Sequence, residues 1–405
     1  MKKLLVLAAG ILQVPVIKKA REMGYYVIAA DGNPEAVGLP LADKAIVANI
    51  TDEEVMLRIA CEENVDGVIH PCSEVSMDVM GRINDELGLS GISRETAIQA
   101  TNNHLMRKAF ERYGAPSPNS FCTNEVDDAW DIFINKFSRN TAILKPSRNS
   151  GSRGVAKISQ QTEKEEFVSL FNRAMNESRD QSVMIEQFIE GPEFSVEIIV
   201  WNGHVNVLTV TDKKTTEAPY FVELGHNQPS VFPLEMQAKL KDAAVAGVKA
   251  LGLNNCAAHA ELKLMEDKPY LMEIGARLGG DFISTVLTRL STGIDMVAAA
   301  VNVALGLEPN LVPQGPQQGV CIRYFTPQPG RLMAIKNKEL LSDSHIYDTE
   351  IYHLEGDMIP EVRSSLDRSG HVIVTDETVE AAIERADRIV DGVVFIVENC
   401  TLNLN

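Results

Sequence analysis

The first 95 residues alternate strand patterns with helix patterns, and no other feature of the sequence limits the possible folds as strongly. Short apolar runs are each followed by a longer amphipathic stretch. The predicted strands are KLLVLAA, YYVIAADGNP and DGVIHP, and the predicted helices are PVIKKAREMG, DEEVMLRIACEEN and SEVSMDVMGRINDELG. A βαβαβα order predicts a parallel sheet with helices on both faces.

Ligands of such sheets bind where the strands end. In this chain those positions hold Gly10, Asp31, His70, Pro71 and Glu74. Gly10 is not part of a GxGxxG motif, so we predict no dinucleotide site here. Asp31 can either form the turn of Asp-Gly-Asn-Pro or contact a ligand. Glu74 can either cap the next helix or contact a substrate.

The pattern changes after residue 95, and it predicts three domains of the α/β and α+β classes. Residues 1–95 form the parallel-sheet domain. Residues 96–310 mix helices and strands, with a smaller α/β unit at about 117–198 that carries a glycine-rich loop. Residues 311–405 hold short strands and one clear helix, and we predict a separate small α+β cap there.

The composition argues against several classes of protein. A net charge of −18 over 405 residues disfavours general nucleic-acid binding, which needs a basic surface. The longest apolar runs, such as LLVLAAGIL, are far shorter than a membrane span. The six cysteines are scattered without a CxxC pair, which argues against a disulfide framework or a zinc site and favours a reducing cytoplasm.

The stretch LKPSRNSGSRGV at 144–155 combines a lysine with a glycine-rich loop. Glycines allow the backbone to approach a phosphate closely, and successive N–H groups bind an anion. Lys145 adds a positive charge for the same phosphates. The loop is not a Walker A motif, because no Gly-Lys-Ser/Thr follows. A phosphate-binding loop and a flexible hairpin between two strands both fit this pattern.

Glutamates interrupt the apolar stretch MIEQFIEGPEFSVE at 184–197. Strand alternation explains some of them as a solvated face. The same spacing also suits a purine nucleoside site, in which backbone groups of residues 187–189 pair with the adenine edge and Glu193 accepts both ribose hydroxyls.

Glu261 and Glu273 lie on two predicted strands joined by the short polar turn Glu266-Asp267-Lys268. An antiparallel hairpin of this length places both carboxylates close together on one face. They would repel each other unless a cation such as Mg²⁺ lies between them. Arg277, just beyond, would face the same phosphates and stabilise the transferred charge. The alternative, an exposed hairpin with two surface glutamates, fits poorly with the apolar residues around them.

These three stretches, in this order and spacing, resemble the ATP-grasp superfamily, and EFSVE and EIGARLGGDF resemble its carboxylate–amine ligases. Within that branch the chain is similar to L-amino-acid ligases, phosphoribosylglycinamide-type purine enzymes and halves of carbamoyl-phosphate synthetase. The resemblance implies an ATP-grasp fold with an N-terminal Rossmann-like domain, a central lid and a small C-terminal cap. It also implies ATP and Mg²⁺ as cofactors, with one or two metal ions and Mn²⁺ as a substitute.

The resemblance assigns roles to individual residues. The nucleotide residues are Lys145, Ser150, Gly151, Ser152 and Gly154 at the phosphates, Glu186, Phe188 and Ile189 at the adenine, and Glu193 at the ribose. Glu261 and Glu273 are assigned to the metal, and Arg277 and Lys145 to catalysis.

Two positions depart from the pattern of the superfamily. Gly275 stands two residues after the second metal glutamate, where many members have Asn, so one metal ligand is missing or replaced by water. Asn102-Asn103-His104 stands where an Asn-Asp-Lys pattern commonly supplies a lysine to ATP. Arg107 is the better substitute for that lysine, and His104 is the weaker one.

Substrate contacts are predicted in three places around the same cleft. The residues are Lys214, Glu223 and His226 within 211–232, Gly279, Gly280 and Asp281 at the start of the next helix, and Glu74 of the first domain. The stretch 211–232 could also be a solvated connection, but its cations, histidine and aromatics favour substrate contact. The N-terminus of a helix can bind an anionic group.

The resemblance implies a ligase that uses ATP to activate a carboxylate as an acyl-phosphate and couples it to an amine, releasing ADP and phosphate. One alternative is a purine-biosynthesis enzyme that acts on a phosphoribosyl amine, whose phosphate needs a further cationic subsite. Another is a non-catalytic ATP-binding regulatory module, which has no need of Arg277 at the γ-phosphate. The expected partners are small-molecule carboxylates and amines, without nucleic acid or membrane, and a homodimer is the default for a soluble enzyme of this size.

Overall fold

The computed structural model describes residues 1–138, 140–149, 153–217 and 220–398. The elements of the N-terminal domain are β1 (Lys3–Leu7), α1 (Val14–Glu22), β2 (Tyr26–Asp31), β3 (Lys44–Val47), α2 (Glu53–Glu63), β4 (Gly67–Ile69) and α3 (Met77–Leu87). The strands pair in parallel in the order β3-β2-β1-β4. The predicted parallel-sheet domain is therefore confirmed.

Two helices, α4 (Arg94–Ala100) and α5 (Asn103–Tyr113), lead from this domain to the rest of the chain. The side chain of Asn102 accepts a hydrogen bond from the backbone N–H of Leu105, so it caps the free N–H groups at the start of α5. Gly114 ends the helix at φ +71°, a left-handed conformation that glycine adopts without strain.

The lid is a small domain with its own sheet and its own core. Its elements are β5 (Ser120–Thr123), α6 (Val126–Asn135), β6 (Ala142–Pro146), β7 (Ala156–Ile158), α7 (Lys164–Glu177) and β8 (Val183–Gln187). The strands pair antiparallel in the order β5-β8-β6-β7. Phe133, Phe167 and Phe171 pack beneath this sheet. The last strand of the lid sheet ends at Gln187. The next strand along the chain, Glu193–Trp201, belongs to the large sheet.

The second half of the chain is built around one large antiparallel sheet. Its elements are β9 (Glu193–Trp201), β10 (His204–Thr215), β11 (Glu223–Gln228), α8 (Leu234–Ala250), β12 (Cys256–Met265), β13 (Lys268–Gly275), α9 (Thr288–Thr292), α10 (Met296–Ala304), β14 (Gly319–Tyr324), β15 (Gly330–Lys336), β16 (Ile346–Ile351), β17 (Met358–Ile359), β18 (Gly370–Asp376), α11 (Val379–Gly392) and β19 (Val394–Glu398). Short 3₁₀ segments lie at Leu39–Leu41, Lys338–Ser342 and Ser365–Asp367, and a π-helical segment at Ile283–Leu287.

The large sheet joins the predicted cap to the ATP-grasp region instead of separating them. Its strand order is β13-β12-β9-β10-β11-β14-β18-β16. β14 pairs with β11, with Gly225 opposite Arg323. Only β17, β15 and β19 form a sheet of their own in the described part of the C-terminal region. Residues of the C-terminal region therefore continue the face that carries the metal and nucleotide motifs.

Alternate residues of β9 face opposite sides of the large sheet. Phe194, Val196 and Ile198 are fully buried in the main apolar core, which also contains residues of the N-terminal sheet. Glu193, Glu197 and the serine between them lie on the other face. Each buried apolar side chain contributes about 1.5–3 kcal/mol, so this core holds the two domains together beneath the polar face.

The length and apolar composition of a helix decide whether it could span a membrane. In the described ranges, no single helix combines the length and the apolar composition of a membrane span. Ile283–Thr292 and Met296–Ala304 meet these criteria only as a pair, bent by 118°.

Candidate active site

A cleft between the lid and the large sheet brings together most of the residues predicted to bind the nucleotide and the metal. The predicted residues that line it are Lys145, Glu186, Phe188, Ile189, Glu193, Glu223, Glu261 and Glu273. Asn149, Arg153, Lys263 and Met272 line it as well. β6 and the hinge after β8 supply one wall, and β9, β12 and β13 supply the other.

Glu186 holds two cations at the lid side of the cleft. The ammonium of Lys145 lies 2.7 Å from one carboxylate oxygen, and Nε of Arg107 lies 2.8 Å from the other. Arg107 also donates to the carbonyl oxygen of Met272, at 2.6 Å. Burial alone would raise the pKa of Glu186, but Arg107 and Lys145 hold it below its usual value. Burial lowers the pKa of Lys145, and the ion pair with Glu186 opposes that shift. With both cations protonated, the three side chains carry a net positive charge that suits an anionic ligand. Arg107 lies behind Glu186 and lines a neighbouring groove with His104.

Phe188 and Ile189 give the cleft an apolar wall. The ammonium of Lys157 lies 4.2 Å from the centre of the Phe188 ring, which is a cation–π contact. Ile189 is buried.

The predicted phosphate loop is described only in part. Ser150, Gly151 and Ser152 lie outside the described residues. Gly154 does not line the cleft. A Cβ atom at this residue, where φ is +77°, would lie 3.0 Å from Pro146 and from Glu177, so glycine is required by the packing of the lid.

Lys213 belongs to the site, although the sequence analysis predicted the neighbouring Lys214 instead. Its ammonium lies 3.0 Å from Glu193, 3.0 Å from Glu261 and 3.7 Å from Glu223, and its side chain is 3% exposed. Burial alone would lower the pKa of Lys213, but the three carboxylates raise it well above its usual value. The predicted Lys214 points to the other side of β10 and lies 3.8 Å from Asp387. The structure therefore does not bring Lys214 to the cleft.

Glu261 and Glu273 lie opposite each other on β12 and β13, as the hairpin pattern predicts. Lys213 and His259 hold the pKa of Glu261 well below its usual value, despite its burial. Burial, Glu74 and Glu261 raise the pKa of Glu273 to about 8. Among the described residues, no cation forms an ion pair with Glu273.

These two carboxylates fit a divalent metal ion. Neighbouring oxygen ligands, one of them without a compensating charge, suit Mg²⁺, which is usually bound by one or two carboxylates together with phosphate oxygens. Gly275 leaves no protein ligand at the third position. In the described ranges, no group of three His, Cys, Asp or Glu residues could hold a metal alone.

His259 links Glu261 to a buried polar network that the sequence did not predict. Its Nδ1 lies 2.8 Å from Glu197, and its Nε2 lies 3.3 Å from Glu261. Ser195 and Ser284 donate hydrogen bonds to Glu197. Burial alone would lower the pKa of His259, but Glu197 raises it to about 9, so the imidazole is protonated at neutral pH. Its position two residues before Glu261, on the same face of the strand, was the available signal.

Arg277 connects the ATP-grasp region to the N-terminal domain. Its guanidinium lies 3.2 Å from the carboxylate of Glu74. Glu74 does not cap α3, whose N-cap residue is Ser76. Asp31 forms its turn instead of facing a ligand, because its carboxylate accepts from the N–H groups of Ala9 and Asn33. Glu74 therefore links the first domain to Arg277. Neither residue lines the cleft, but Glu74 contributes to the raised pKa of Glu273, which does.

The turn after Arg277 differs from the predicted helix start. Asp281 and Phe282 adopt left-handed backbone conformations, and the following helical segment begins at Ile283 as a π-helix. Asp281 forms two hydrogen bonds with Arg368, at 2.7 and 2.8 Å, and lies 3.4 Å from Nε2 of His226. These bonds lower the pKa of Asp281, although burial opposes them. The charged Asp281 disfavours an anionic ligand at this helix start.

Two protein families match parts of the chain. The ATP-grasp domain family matches residues 138–286, which include the hinge of the lid and the metal hairpin. The chain carries an ATP-grasp domain. The family called L-amino acid ligase C-terminal domain 2 matches residues 323–398. The resemblance inferred from the sequence is thus confirmed, and the cleft described above lies within the ATP-grasp domain.

Relatives of the ATP-grasp domain extend the similarity over the whole chain. Alanine–anticapsin ligase of Bacillus subtilis (strain 168) is 28% identical over 277 residues, which cover 63% of this chain and 58% of that protein. The crystal structure of L-amino acid ligase from Bacillus licheniformis matches with a TM-score of 0.83 at 21% identity, over 98% of this chain and 99% of that chain. The crystal structure of phosphoribosylglycinamide synthetase from Anaerococcus prevotii matches with a TM-score of 0.78 at 25% identity, over 98% and 100%. The chain spans about half the length, or less, of the curated ligases and synthases that it matches.

Proposed function

We propose that the chain is an ATP- and Mg²⁺-dependent ligase that joins a carboxylate to an amine through an acyl-phosphate and releases ADP and phosphate. The observation that carries the proposal is that one cleft collects Lys145 on the lid, the adjacent carboxylates Glu261 and Glu273, and Glu193 at its edge. A lysine, a metal-binding pair and a ribose acceptor are the parts that phosphoryl transfer from ATP needs.

The nucleotide would lie between the lid and the large sheet. Phe188 and Ile189 provide the apolar wall for the adenine, and Glu193 would accept the ribose hydroxyls. Lys145 would contact the phosphates, and Glu186 keeps it oriented through their 2.7 Å ion pair. The lid would close over the nucleotide and keep water away from the reactive acyl-phosphate.

Glu261 and Glu273 would hold the metal. The bound Mg²⁺ would supply positive charge that neutralises the charge developing on the phosphates. A carboxylate oxygen of the substrate attacks the γ-phosphorus, the bond to the bridging oxygen breaks, and ADP leaves. The amine nitrogen then attacks the acyl carbon, loses a proton and displaces phosphate. Arg277 would stabilise the charge of the acyl-phosphate.

L-Amino acids are the substrates that we favour. The relatives named above include an alanine–anticapsin ligase and an L-amino acid ligase, and the C-terminal region matches a domain of L-amino acid ligases. The cations Lys213, Arg277 and Arg368 each face a carboxylate of the protein. A ribose phosphate would have to compete with those carboxylates. A cytoplasmic location and a homodimer stay predictions of the sequence.

The proposal is tested by measuring release of ADP and phosphate from Mg-ATP. The candidates are L-amino acids offered singly and in pairs, glycinamide ribotide together with formate, and bicarbonate. Release that requires a pair of amino acids is the expected result. Release that requires glycinamide ribotide as the amine and formate as the carboxylate would instead support the purine-biosynthesis alternative. Measurable ATP binding without release for any candidate would support a regulatory module and contradict the proposal.

A further inference from the structure

The turn that follows Arg277 has an unfavourable backbone. Asp281 has φ +51° and Phe282 has φ +62°, so two successive residues other than glycine are left-handed. Asp tolerates this conformation, but a bulky aromatic residue rarely adopts it. Such conformations are strained and persist only where neighbouring contacts hold them.

The first contact that holds the turn comes from the C-terminal region. Both terminal nitrogens of Arg368 donate to the carboxylate of Asp281, and the guanidinium lies 3.6 Å from the centre of the Tyr324 ring. Nε of Arg368 donates to the carbonyl oxygen of Ser365, and another donor faces the carbonyl oxygen of Glu223. Nearly all N–H groups of Arg368 donate hydrogen bonds within the protein. Arg368 therefore holds Asp281 and has little capacity left to bind an anionic substrate.

The second contact also comes from the C-terminal region. The ring of Phe282 lies 4.7 Å from the ring of His371. His371 is held in turn by the hydroxyl of Tyr352, 2.8 Å from Nδ1, and by Asp348, 3.1 Å from Nε2. Both left-handed residues therefore contact the same region of the chain.

A series of hydrogen bonds connects the turn to the proposed metal site. The N–H of Gly279 donates to the hydroxyl of Ser284, at 2.7 Å, and that hydroxyl donates to Glu197, at 3.0 Å. Glu197 binds His259, which contacts Glu261. A line of buried hydrogen bonds thus runs from the turn to a proposed metal ligand, and Arg277 lies two residues before the turn.

We propose that Arg368 is a positioning residue for the active site, which acts by locking the turn at 279–282 through Asp281. The C-terminal region is then a working part of the catalytic cleft. The kinetic part of this inference rests on the proposed function, whereas the structural part does not.

The structural part is tested by amide hydrogen exchange of the full-length protein without ligand. We expect Arg368→Gln to speed exchange in the segment 279–287 at least several-fold. The matched control is Arg385→Gln, because Arg385 belongs to the same region and pairs with Asp343 and Asp376. Equal exchange in segment 279–287 of the two variants would overturn the proposal. Asp281→Asn, which keeps a residue that tolerates the left-handed conformation, gives the same test if Arg368→Gln does not fold.

The kinetic part separates positioning from simple structural support. We expect Arg368→Gln to lower kcat of ADP release on the order of 10- to 100-fold, because small misplacements of reacting groups are costly, while the dissociation constant of ADP changes less than about twofold. Arg368→Lys restores one hydrogen bond and should recover part of kcat. An unchanged kcat per folded molecule would overturn the proposal. If the unchanged protein releases no ADP with any candidate, the proposed function fails, and the exchange experiment still decides the role of Arg368.

Discussion

Glu261 lies directly opposite Glu273 in the antiparallel pairing of β12 and β13. The Cβ atoms of such a pair are about 4.5–5.5 Å apart. Lys213 and His259 contact Glu261, whereas the pKa of Glu273 is raised to about 8 by its burial and by neighbouring carboxylates. In the metal-free protein the repulsion between the two carboxylates therefore favours a proton on Glu273, which a bound cation would displace.

Replacing Glu273 by Gln removes both this repulsion and one proposed metal ligand. We expect the free energy of unfolding of metal-free Glu273→Gln to be equal to that of the unchanged protein, or higher by about 1–2 kcal/mol. The additional stabilisation by Mg-ADP should be lost. Urea unfolding with and without Mg-ADP measures both quantities.

The control for this prediction is Glu266→Gln, in the exposed turn of the same hairpin. It should keep the full stabilisation by Mg-ADP. If Glu273→Gln also kept it, Glu273 would not be a metal ligand.

Lys213 and Lys214 offer a matched pair of substitutions on one strand. Lys213→Met leaves Glu193, Glu261 and Glu223 without their shared cation, and breaking a buried ion pair in this way costs about 3–5 kcal/mol. Lys214 is 55% exposed, so Lys214→Met should change stability by less than about 0.5 kcal/mol. Chemical denaturation of both variants at neutral pH compares them. Similar losses for the two would mean that the three carboxylates do not depend on Lys213.

The same two lysines show where prediction from sequence reaches its limit. The hairpin with Glu261 and Glu273 was predictable because a short turn joins its two strands and keeps the two glutamates opposite each other, although the pairing shifts between Glu261 and Leu262. β10 is longer, and its pairing with β9 shifts between Val207 and Thr209. Such an irregularity exchanges the faces that successive residues occupy. Only the folded sheet shows that Lys213 faces the cleft.

Distant contacts explain the rest of what was missed. The contact of Arg368 with Asp281 spans 87 residues, and no local pattern links them. The short strands of the C-terminal region led us to predict a small cap there, and no local pattern shows that β14 pairs with β11. In contrast, β1, β2 and β4 of the N-terminal sheet follow from local alternation and were predicted, whereas β3 at the edge of the sheet was not.

His70 gives the stability of the protein a specific pH dependence. Its Nδ1 lies 2.8 Å from the carbonyl oxygen of Leu7, and its Nε2 accepts a hydrogen bond from the N–H of Ser76. Both ring nitrogens of the neutral imidazole are therefore hydrogen-bonded. Burial lowers the pKa of His70 to about 4, with a further contribution from Arg277. The unfolded chain, with a pKa near 6.5, then binds the proton more tightly than the folded one.

Stability should therefore be complete above pH 6.5 and decline as pH falls toward 4, by up to about 3 kcal/mol from this group. His70→Gln should lose stability at neutral pH but show a smaller decline over this window. Urea unfolding between pH 7 and 4.5 makes the comparison, with the exposed His204→Gln as control. A decline in His70→Gln as steep as in the control would contradict the assignment.

Arg277 of the ATP-grasp region and Glu74 of the N-terminal domain form an ion pair at 3.2 Å. If Arg277 stabilises the acyl-phosphate, Arg277→Met should lower kcat of ADP release by about 10²- to 10³-fold and leave ADP affinity nearly unchanged. Glu74→Gln should instead raise the KM of a substrate, because Glu74 is the predicted substrate contact of the N-terminal domain. The double variant should show less than the sum of the two free-energy changes, since each residue orients the other.

The control is Arg82→Met, which loses surface ion pairs with Glu53 and Glu54 in the N-terminal domain, the domain of Glu74. Turnover by Arg277→Met at the rate of that control would remove Arg277 from the proposed mechanism.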